Sequence, residues 1–374
     1  MPRLLKSLSR AVSTQPIMQP RLQTEEIDRT FPQNLLPSLR AIEFVCPLCR
    51  GQLDVLDDGY QCPACQKKYS LHAGIPDFRV FPDPYLSYQE DHDRTEIVLA
   101  ALEKFNLEKL LEHYWSFSDI TPVALRPKFI RSAVLGEERA RRTLEILADN
   151  TEQSAKKVLE IGSGTGNFLA LAAQKYEQVI GVDIAMRWLH VSRRRFMDIG
   201  LPVPPLVCCC AEFLPFADDS FDLIVASSTL EFVRDQRQVF AECARTLDEN
   251  GALCINSVNR FSLARDPYAY LWGVGFLPRS LQARYVFWRR GASYENVKTL
   301  SYRELNQIAG DYFLTKEFAL PDVAPSVLKE FSPTTRWQIN AYRFLKKLPP
   351  FSLIFKWIGP GWDILLKKNS EQKN

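Results

Sequence analysis

"KVLEIGSGTGNF" at 157–168, followed closely by "VIGVDI" at 179–184, decides the fold. Each contains a short apolar run typical of a buried strand, and the residues between them have the pattern of a helix. The turn after the first run carries three glycines, Gly162, Gly164 and Gly166. Glycine tolerates left-handed backbone angles and lets a ligand approach the main chain, and the helix that follows has free N–H groups. This strand–loop–helix–strand unit predicts a site for a nucleotide-like cofactor.

The alternation of strand and helix continues toward the end of the chain. Five more strands are predicted at 205–211, 221–228, 252–258, 312–320 and 361–368. Helices connect them, including "RDQRQVFAECARTL" and "SYRELNQIAG", so the pattern predicts a doubly wound, mostly parallel α/β sheet of seven strands. Ahead of this sheet, a long helical stretch is predicted at about 90–149, with its second helix at about 127–148.

Two acidic residues flank the glycine loop. Glu160 lies in the first strand, where a carboxylate can reach the amino group of a methionine moiety through water or backbone. Asp183 ends the second strand, in the position that accepts hydrogen bonds from both ribose hydroxyls. The alternatives are a solvated strand end for Glu160 and a helix N-cap for Asp183. Both carboxylates in one unit favour S-adenosylmethionine (SAM) over a nicotinamide dinucleotide.

The most specific part of the chain is "AEFLPFADDSFDLIVASSTLEFV" at 211–233. With it, residues 156–260 resemble class I SAM-dependent methyltransferases, especially the branch of the quinone-biosynthesis methyltransferases. The resemblance implies a Rossmann-like sheet, SAM as cofactor and methyl transfer as the reaction. The implied cofactor-binding residues are Glu160, Gly162, Ser163, Gly164, Gly166, Asp183, Ile184, Cys210, Ala211 and Glu212.

The same resemblance implies where the adenine and the methyl acceptor bind. Ala211 and Glu212 would contact the base, chiefly through the backbone. The chain departs from the family at Cys210, where an acidic residue is usual, and at Phe232, where many relatives have histidine. The residues expected to line the methyl-transfer site are Ser227, Ser228, Thr229 and Glu231. No catalytic base is assigned.

Two Cys-x-x-Cys pairs, "CPLC" and "CPAC", are separated by twelve residues. They contain Cys46, Cys49, Cys62 and Cys65. Paired thiolates on tight turns can close a tetrahedral Zn²⁺ site, although a redox dithiol or two disulfides would use the same residues. The segment resembles the small zinc-ribbon proteins that partner methyltransferases, in which Tyr69 and Gly74-Ile75-Pro76 have counterparts. A structural zinc ribbon is therefore expected.

The predicted organisation is a flexible basic leader at 1–40, a zinc ribbon at 41–81, a helical lid or linker at 82–150 and a SAM-binding domain at 151–374. Within the last, insertions are expected at 260–300 and 321–360. The net charge of +3 divides into +4 for the first 22 residues, −10 for the middle and +9 from Arg260 onward. The basic ends of a chain with this charge distribution can bind an anionic partner.

The cysteines and the leader bear on localisation. An odd count of nine cysteines with an adjacent triplet is a poor disulfide framework, which favours a reducing compartment and hence the cytoplasm. The basic, acid-free first 22 residues resemble an organelle transit peptide, or are simply a disordered extension. No run approaches 18 apolar residues, the length that a membrane span needs.

The predicted function is methyl transfer to a small-molecule or lipid-like acceptor by in-line displacement in a desolvated site. Both insertions mix aromatic and basic residues, which suits an apolar substrate with an anionic group, a peripheral membrane contact or a buried structural cap. An RNA methyltransferase is the first alternative, suggested by a zinc ribbon ahead of the catalytic domain. A non-catalytic scaffold that keeps the fold is the second.

Overall fold

A computed structural model describes residues 36–117, 121, 123–150, 155–323, 328–329 and 331–369. These residues belong to one compact unit, Phe31–Asn374. Most of the predicted leader at 1–40 lies outside the described residues, so its flexibility stays a prediction.

The larger of two sheets has seven strands and contains the glycine-loop unit. Its strands are β5 (Lys157–Ile161), β6 (Gln178–Asp183), β7 (Leu206–Cys208), β8 (Phe221–Ser227), β9 (Leu247–Val258), β10 (Phe313–Ala319) and β11 (Gly361–Lys368). They lie in the order β10-β11-β9-β8-β5-β6-β7. Strand β11 is antiparallel to both neighbours, and β5 through β9 pair in parallel. The predicted seven-stranded, mostly parallel sheet is confirmed.

The strand order places the ligand edge of this sheet. The chain passes from β5 to β6 on one side and later returns to β8 on the other, so the order reverses beside β5. Open parallel sheets bind ligands at such a reversal, outside the carboxyl ends of the strands. The sheet interior consists of apolar β-favouring residues such as Val158, Leu159 and Ile224, all fully buried.

Helices cover both faces of the sheet. On one face lie α4 (Glu137–Asn150), α5 (Asn167–Ala172) and α6 (Met186–Ile199), and on the other lie α7 (Gln236–Thr246) and α9 (Tyr302–Ala309). Helices α3 (Arg126–Val134) and α8 (Arg279–Arg290) pack outside these layers. The single helix expected at 127–148 was wrong, because it divides into α3 and α4 at Gly136. A Cβ atom at Gly136 would lie 2.5 Å from Asn167 Nδ2. The glycine at this break therefore leaves room for the side chain that begins α5.

Two further helices precede α3. Helix α1 (Tyr88–Leu102) begins with a capping box in which Ser87 and Glu90 satisfy each other's backbone N–H groups, and α2 is Leu107–Phe117. Val98, Leu110 and Tyr114 pack with Val191 of α6 in one apolar cluster. The predicted helical stretch at 90–149 is therefore four helices, of which α1 and α2 pack against α6.

The smaller sheet belongs to the cysteine-rich segment. Its strands β1 (Asp54–Leu56), β2 (Gly59–Gln61), β3 (Lys68–His72) and β4 (Ile75–Pro76) form an antiparallel meander. It adjoins the edge of the larger sheet, where the Phe78 N–H donates to the Cys208 carbonyl at 2.7 Å. Rings of both parts share a core, because Phe44 lies 5.0 Å from Phe78 and 5.8 Å from Phe216. The cysteine-rich segment is thus an integral edge of the unit built on the larger sheet.

The segment between β10 and β11 contains α10 (Pro333–Leu345) and α11 (Pro349–Ile358). Both helices leave large apolar side chains exposed, including Trp337 at 71% and Trp357 at 53%. The 321–360 insertion therefore does not bury its aromatics as a structural cap would. Among the described residues, no helix combines the length and the apolar character that crossing a membrane requires.

Candidate active site

A cavity of about 270 Å³ opens at the carboxyl edge of the sheet, where the strand order reverses. Its wall combines the ends of β5, β6 and β8 with the linker that precedes α1. Residues from these elements include Phe81, Asp83, Tyr85, Ile161, Gly162, Val182, Asp183, Ile184, Arg187, Cys209, Ala211, Glu212, Ser228, Thr229, Phe232 and Arg234.

The glycine loop forms one wall, and two of its glycines have no room for a side chain. Gly162 has φ +69°, and a Cβ there would lie 2.2 Å from the Thr229 hydroxyl oxygen. Gly166 has φ +75°, and a Cβ there would meet the Ser192 hydroxyl oxygen at 2.2 Å. The Gly162 and Ser163 N–H groups both donate to the Val182 carbonyl, which fixes the loop against β6. The sequence thus places glycine where the backbone must be left-handed and crowded.

Asp183 holds the two sides of the cavity together. Its Oδ2 accepts from the Gly164 N–H at 2.8 Å, and its Oδ1 accepts from the Ala185 N–H at 2.9 Å. Burial raises the pKa of Asp183 to about 6. Each carboxylate oxygen has a second lone pair, so the side chain can still accept hydrogen bonds from a ligand in the cavity. Asp183 is not the N-cap of α6, because that position is Ala185.

Two polar atoms beneath the loop lack partners. Glu160 is 4% exposed, and its Oε2 has no hydrogen-bond partner among the described residues. The buried Ser163 hydroxyl is likewise unpartnered in the described part of the chain. Burial raises the pKa of Glu160 well above its ordinary value. Buried polar atoms without partners are uncommon in native proteins, so these two indicate a missing hydrogen-bonding group.

A chain of buried charges supports the opposite wall. Asp91 of α1 is fully buried and pairs with Arg79 of the linker at 2.6 Å and with Arg187 of α6. Arg187 also reaches Asp83 at 2.9 Å, while Arg79 pairs with Asp77 at 2.6 Å. Removing one partner of such a set leaves an uncompensated buried charge. The set therefore fixes the linker wall relative to α6.

The far end of the cavity lies at the end of β8. Ser228 has φ +52°, a strained value for a residue other than glycine, and its hydroxyl accepts from Arg139 Nη1 at 3.0 Å. Beside it the Phe232 ring lies 4.9 Å from the Tyr268 ring and 6.4 Å from the Tyr85 ring. This end thus combines an aromatic wall with an exposed cation.

The four ribbon cysteines form a second candidate site away from the cavity. Their sulfurs all lie within 4.8 Å of one another, with Cys46 3.6 Å from Cys65 and Cys49 3.4 Å from Cys62. Four thiolates around a tetrahedral Zn²⁺ with bonds of about 2.3 Å would be spaced at about 3.8 Å. The cluster is close to that spacing and fits a zinc ribbon.

Comparison with known proteins finds a family profile that matches the central part of the chain. The profile described as a methyltransferase domain matches residues 159–255. This chain contains a methyltransferase domain. It is 28% identical over 186 residues to the ubiquinone biosynthesis O-methyltransferase of Saccharophagus degradans, a match that covers 48% of this chain and 69% of the relative.

Other matches extend the comparison of the methyltransferase domain. The phosphatidylethanolamine N-methyltransferase of Cereibacter sphaeroides is 32% identical over 136 residues, which is 36% of this chain and 64% of that protein. The solved complex between the Haloferax volcanii Trm112 methyltransferase activator and a putative methyltransferase matches with a TM-score of 0.42 and 16% identity, over 63% of this chain and 95% of that one. Among the curated relatives compared, the match spans between 20% and 69% of the relative's own length.

The structure brings half of the ten predicted cofactor residues to the cavity wall: Gly162, Asp183, Ile184, Ala211 and Glu212. Two of the residues predicted for the methyl-transfer site, Ser228 and Thr229, also line it. Glu160 and Ser163 are buried next to the loop, with one atom of each unpartnered in the described part of the chain. Gly164 and Gly166 shape the loop.

Three predicted site residues do not face the cavity. Cys210 is turned away, and its thiol donates to the Phe81 carbonyl at 3.5 Å, so Cys209 occupies the wall instead. Ser227 donates to Asn256. Glu231 is fully buried and accepts from the Ser257 hydroxyl at 2.8 Å, which makes it a link between β8 and β9.

Sequence reasoning missed the linker wall. Phe81, Asp83 and Tyr85 read as a proline-rich connection, and no local signal ties them to a cavity formed about 100 residues later. The burial of Arg187, which explains its pairing with Asp83, is likewise visible only in the folded chain.

Proposed function

We propose that this cavity binds SAM and that the chain transfers its methyl group to a small, lipid-like acceptor. The observation that carries the proposal is Asp183, whose two oxygens each keep a free lone pair beside the glycine loop. Those oxygens would accept hydrogen bonds from the ribose hydroxyls. Ala211 and Cys209 would contact the adenine, and Glu160 and Ser163 would satisfy the amino acid end through their unpartnered oxygens.

Methyl transfer from SAM requires little of the protein beyond alignment of the acceptor with the methyl group. The sulfonium of SAM already activates the methyl group, so the enzyme must orient the nucleophile and exclude water. Tyr85 and Phe232 close the cavity with aromatic rings, and Thr229 is held by hydrogen bonds to the Ile161 and Ser227 carbonyls. The ionisable groups that line the cavity include the carboxylates of Asp83 and Glu212 and the phenol of Tyr85, and no catalytic base is assigned among them.

The acceptor end favours a molecule that is apolar over most of its surface and carries an anionic group. Phe232 and Tyr268 supply the apolar wall, and the Arg139 guanidinium lies 3.0 Å from the Ser228 hydroxyl at its edge. Arginine suits carboxylate and phosphate groups because its donors form a planar fork. Relatives named for ubiquinone biosynthesis and for phosphatidylethanolamine methylation support such an acceptor.

A labelled-methyl experiment tests this function. The full chain is incubated with methyl-tritiated SAM and a cell extract, and the products are separated into organic-soluble, RNA and protein fractions. We expect label in the organic fraction, and none with an Asp183→Ala variant as control. Label in RNA would support the RNA methyltransferase instead. Bound SAM without label in any fraction would support the non-catalytic scaffold.

We further propose that the ribbon cysteines hold a structural Zn²⁺. All nine cysteines carry free thiols, which supports a metal site over disulfides in the ribbon and a reducing compartment such as the cytoplasm. The buried Cys46 and Cys62 anchor the cluster beneath the ribbon. Arg50, next to it, donates to the Leu214 carbonyl at 2.9 Å and pairs with Glu242 at 2.6 Å. A metal here would stabilise the turn that holds the ribbon against the methyltransferase domain.

The exposed C-terminal helices support a peripheral contact with an anionic membrane, which we propose delivers the acceptor. The segment 333–358 contains five Lys or Arg residues and no Asp or Glu. Its apolar surface continues onto the 261–276 loop, because the Leu263 N–H donates to the Ile358 carbonyl and Trp272 donates to the Leu263 carbonyl. Basic helices with exposed tryptophan bind at the headgroup boundary of anionic bilayers.

Vesicle binding tests this contact. Replacing both Leu353 and Trp357 by serine should weaken binding to phosphatidylglycerol vesicles at least about tenfold, since each buried apolar side chain contributes about 1.5–3 kcal/mol. Leu314→Ser is the matched control, because Leu314 is a similarly exposed residue on β10 and lies outside this surface. Wild-type binding should fall with salt and be weak on pure phosphatidylcholine. Equal binding of the double variant and the wild type would exclude this surface.

A further inference from the structure

Three side chains meet between the ribbon and helix α1, away from both sites above. His72 ends strand β3, and His92 and Glu96 stand one turn apart on α1. His72 Nε2 lies 3.1 Å from His92 Nδ1 and 3.0 Å from Glu96 Oε1. The three ligating atoms are within 4.8 Å of one another. Two imidazole nitrogens and a carboxylate oxygen thus converge from two different elements.

One proton on His72 Nε2 cannot make hydrogen bonds out of both of its contacts, those with His92 and with Glu96. The Nε2 of a histidine has a single in-plane position, which is either an N–H or a lone pair. Both His92 and Glu96 lie within hydrogen-bond distance of that one position, so one of the two contacts is left without a proton. A divalent cation placed among the three atoms would bind all of them at once, since each of the three can offer a lone pair.

A third histidine packs beside His72. His190 of α6 is fully buried, and its ring lies 5.9 Å from the His72 ring. Neither of its nitrogens has a hydrogen-bond partner among the described residues. The pair at His72 and His92 thus belongs to a larger group of imidazoles at the junction of the ribbon, α1 and α6.

We propose that His72, His92 and Glu96 form a second metal site, for Zn²⁺ or a similar borderline dication, that clips the ribbon to helix α1. Imidazole and carboxylate ligands suit such ions. Because of its position, a metal at this site would also affect the cavity wall. Asp91, next to His92, holds both Arg79 and Arg187 at the cavity wall. A metal at His92 would therefore stabilise α1 where it supports the linker wall.

Metal stoichiometry in the full chain tests the proposal. Protein carrying its tightly held ribbon zinc is freed of loosely bound metal with a weak chelator and titrated with Zn²⁺ by calorimetry. The wild type should bind one additional equivalent, and saturation should raise its Tm. His92→Ala and Glu96→Gln should each weaken that binding at least about tenfold, as expected when a ligand is lost.

The controls separate this site from the cysteine cluster. His113→Ala removes a histidine of α2 that packs between Phe105 and Phe117, and it should leave both equivalents intact. Co²⁺ bound at the new site should lack the sulfur-to-cobalt charge-transfer absorption that the cysteine site gives. If the wild type and His92→Ala take up the same number of equivalents with the same affinity, the second site does not exist.

Discussion

Replacing Asp183 by alanine should weaken SAM binding at least about 100-fold, because two charge-assisted hydrogen bonds to the ribose contribute about 1.5–3 kcal/mol each. The Asp183→Asn variant keeps one oxygen as an acceptor and should lose less affinity. Titration calorimetry with SAM measures both. The Gly164 and Ala185 N–H groups also lose their partner in Asp183→Ala, so the free energy of unfolding should fall as well. We expect the loss of SAM-binding free energy to be the larger of the two.

Asp198→Ala is the matched control for this substitution. Asp198 also accepts from a backbone N–H, that of Leu107 at 2.6 Å, and it pairs with Arg194 on the outer face of α6. Its loss should lower the Tm without changing the dissociation constant for SAM. Unchanged SAM affinity in Asp183→Ala would contradict the ribose assignment, and a loss of affinity in Asp198→Ala would show that destabilisation alone explains the result.

Replacing Cys62 by serine should remove the ribbon zinc and destabilise the chain by several kcal/mol. A structural Zn²⁺ contributes about 10–16 kcal/mol to the folding of isolated zinc-finger peptides, and the aromatic packing with Phe44, Tyr60 and Phe216 offsets only part of its loss. A loss of about 3 kcal/mol lowers the Tm of a unit of this size by about 4 °C, given an unfolding entropy of about 2.1 cal/mol/K per residue. Zinc content by mass spectrometry and the Tm by calorimetry are the measurements.

Cys243→Ser serves as the control for the cysteine substitution. Cys243 is also buried, on α7, and lies outside the cluster. Cys243→Ser also places a hydroxyl in a buried position, so it should be destabilised by that change, but it should keep the ribbon zinc. If Cys62→Ser retains its zinc, or if the wild type contains none, the ribbon is held by its aromatic core alone.

Much of the fold could be predicted from the sequence because its signals are local. The glycines of 162–166 and the alternation of strand and helix are patterns of neighbouring residues, and they predicted the seven strands. The paired cysteines are equally local, since each turn sets its own two sulfurs. Even the closing strand at 361–368 followed from a short apolar run.

The parts that could not be predicted depend on distant contacts or on a shift of one residue. Cys208, Cys209 and Cys210 are chemically identical, so nothing in the triplet shows which thiol faces the ligand after β7 ends at Cys208. The buried pairs of Asp91 join segments about 100 residues apart along the chain. The acidic residue at Glu231 looked accessible next to strand β8, yet the fold uses it to bind β9.

The most direct test of the account is calorimetric titration of the wild-type chain with SAM. We predict saturable binding of one SAM per chain with a dissociation constant of about 1 mM or lower, the range in which enzymes usually bind substrates. The heat should disappear when the cavity is filled in advance with S-adenosylhomocysteine. Absence of saturable binding at millimolar SAM, with the chain folded, would contradict the assignment of the cavity as the cofactor site.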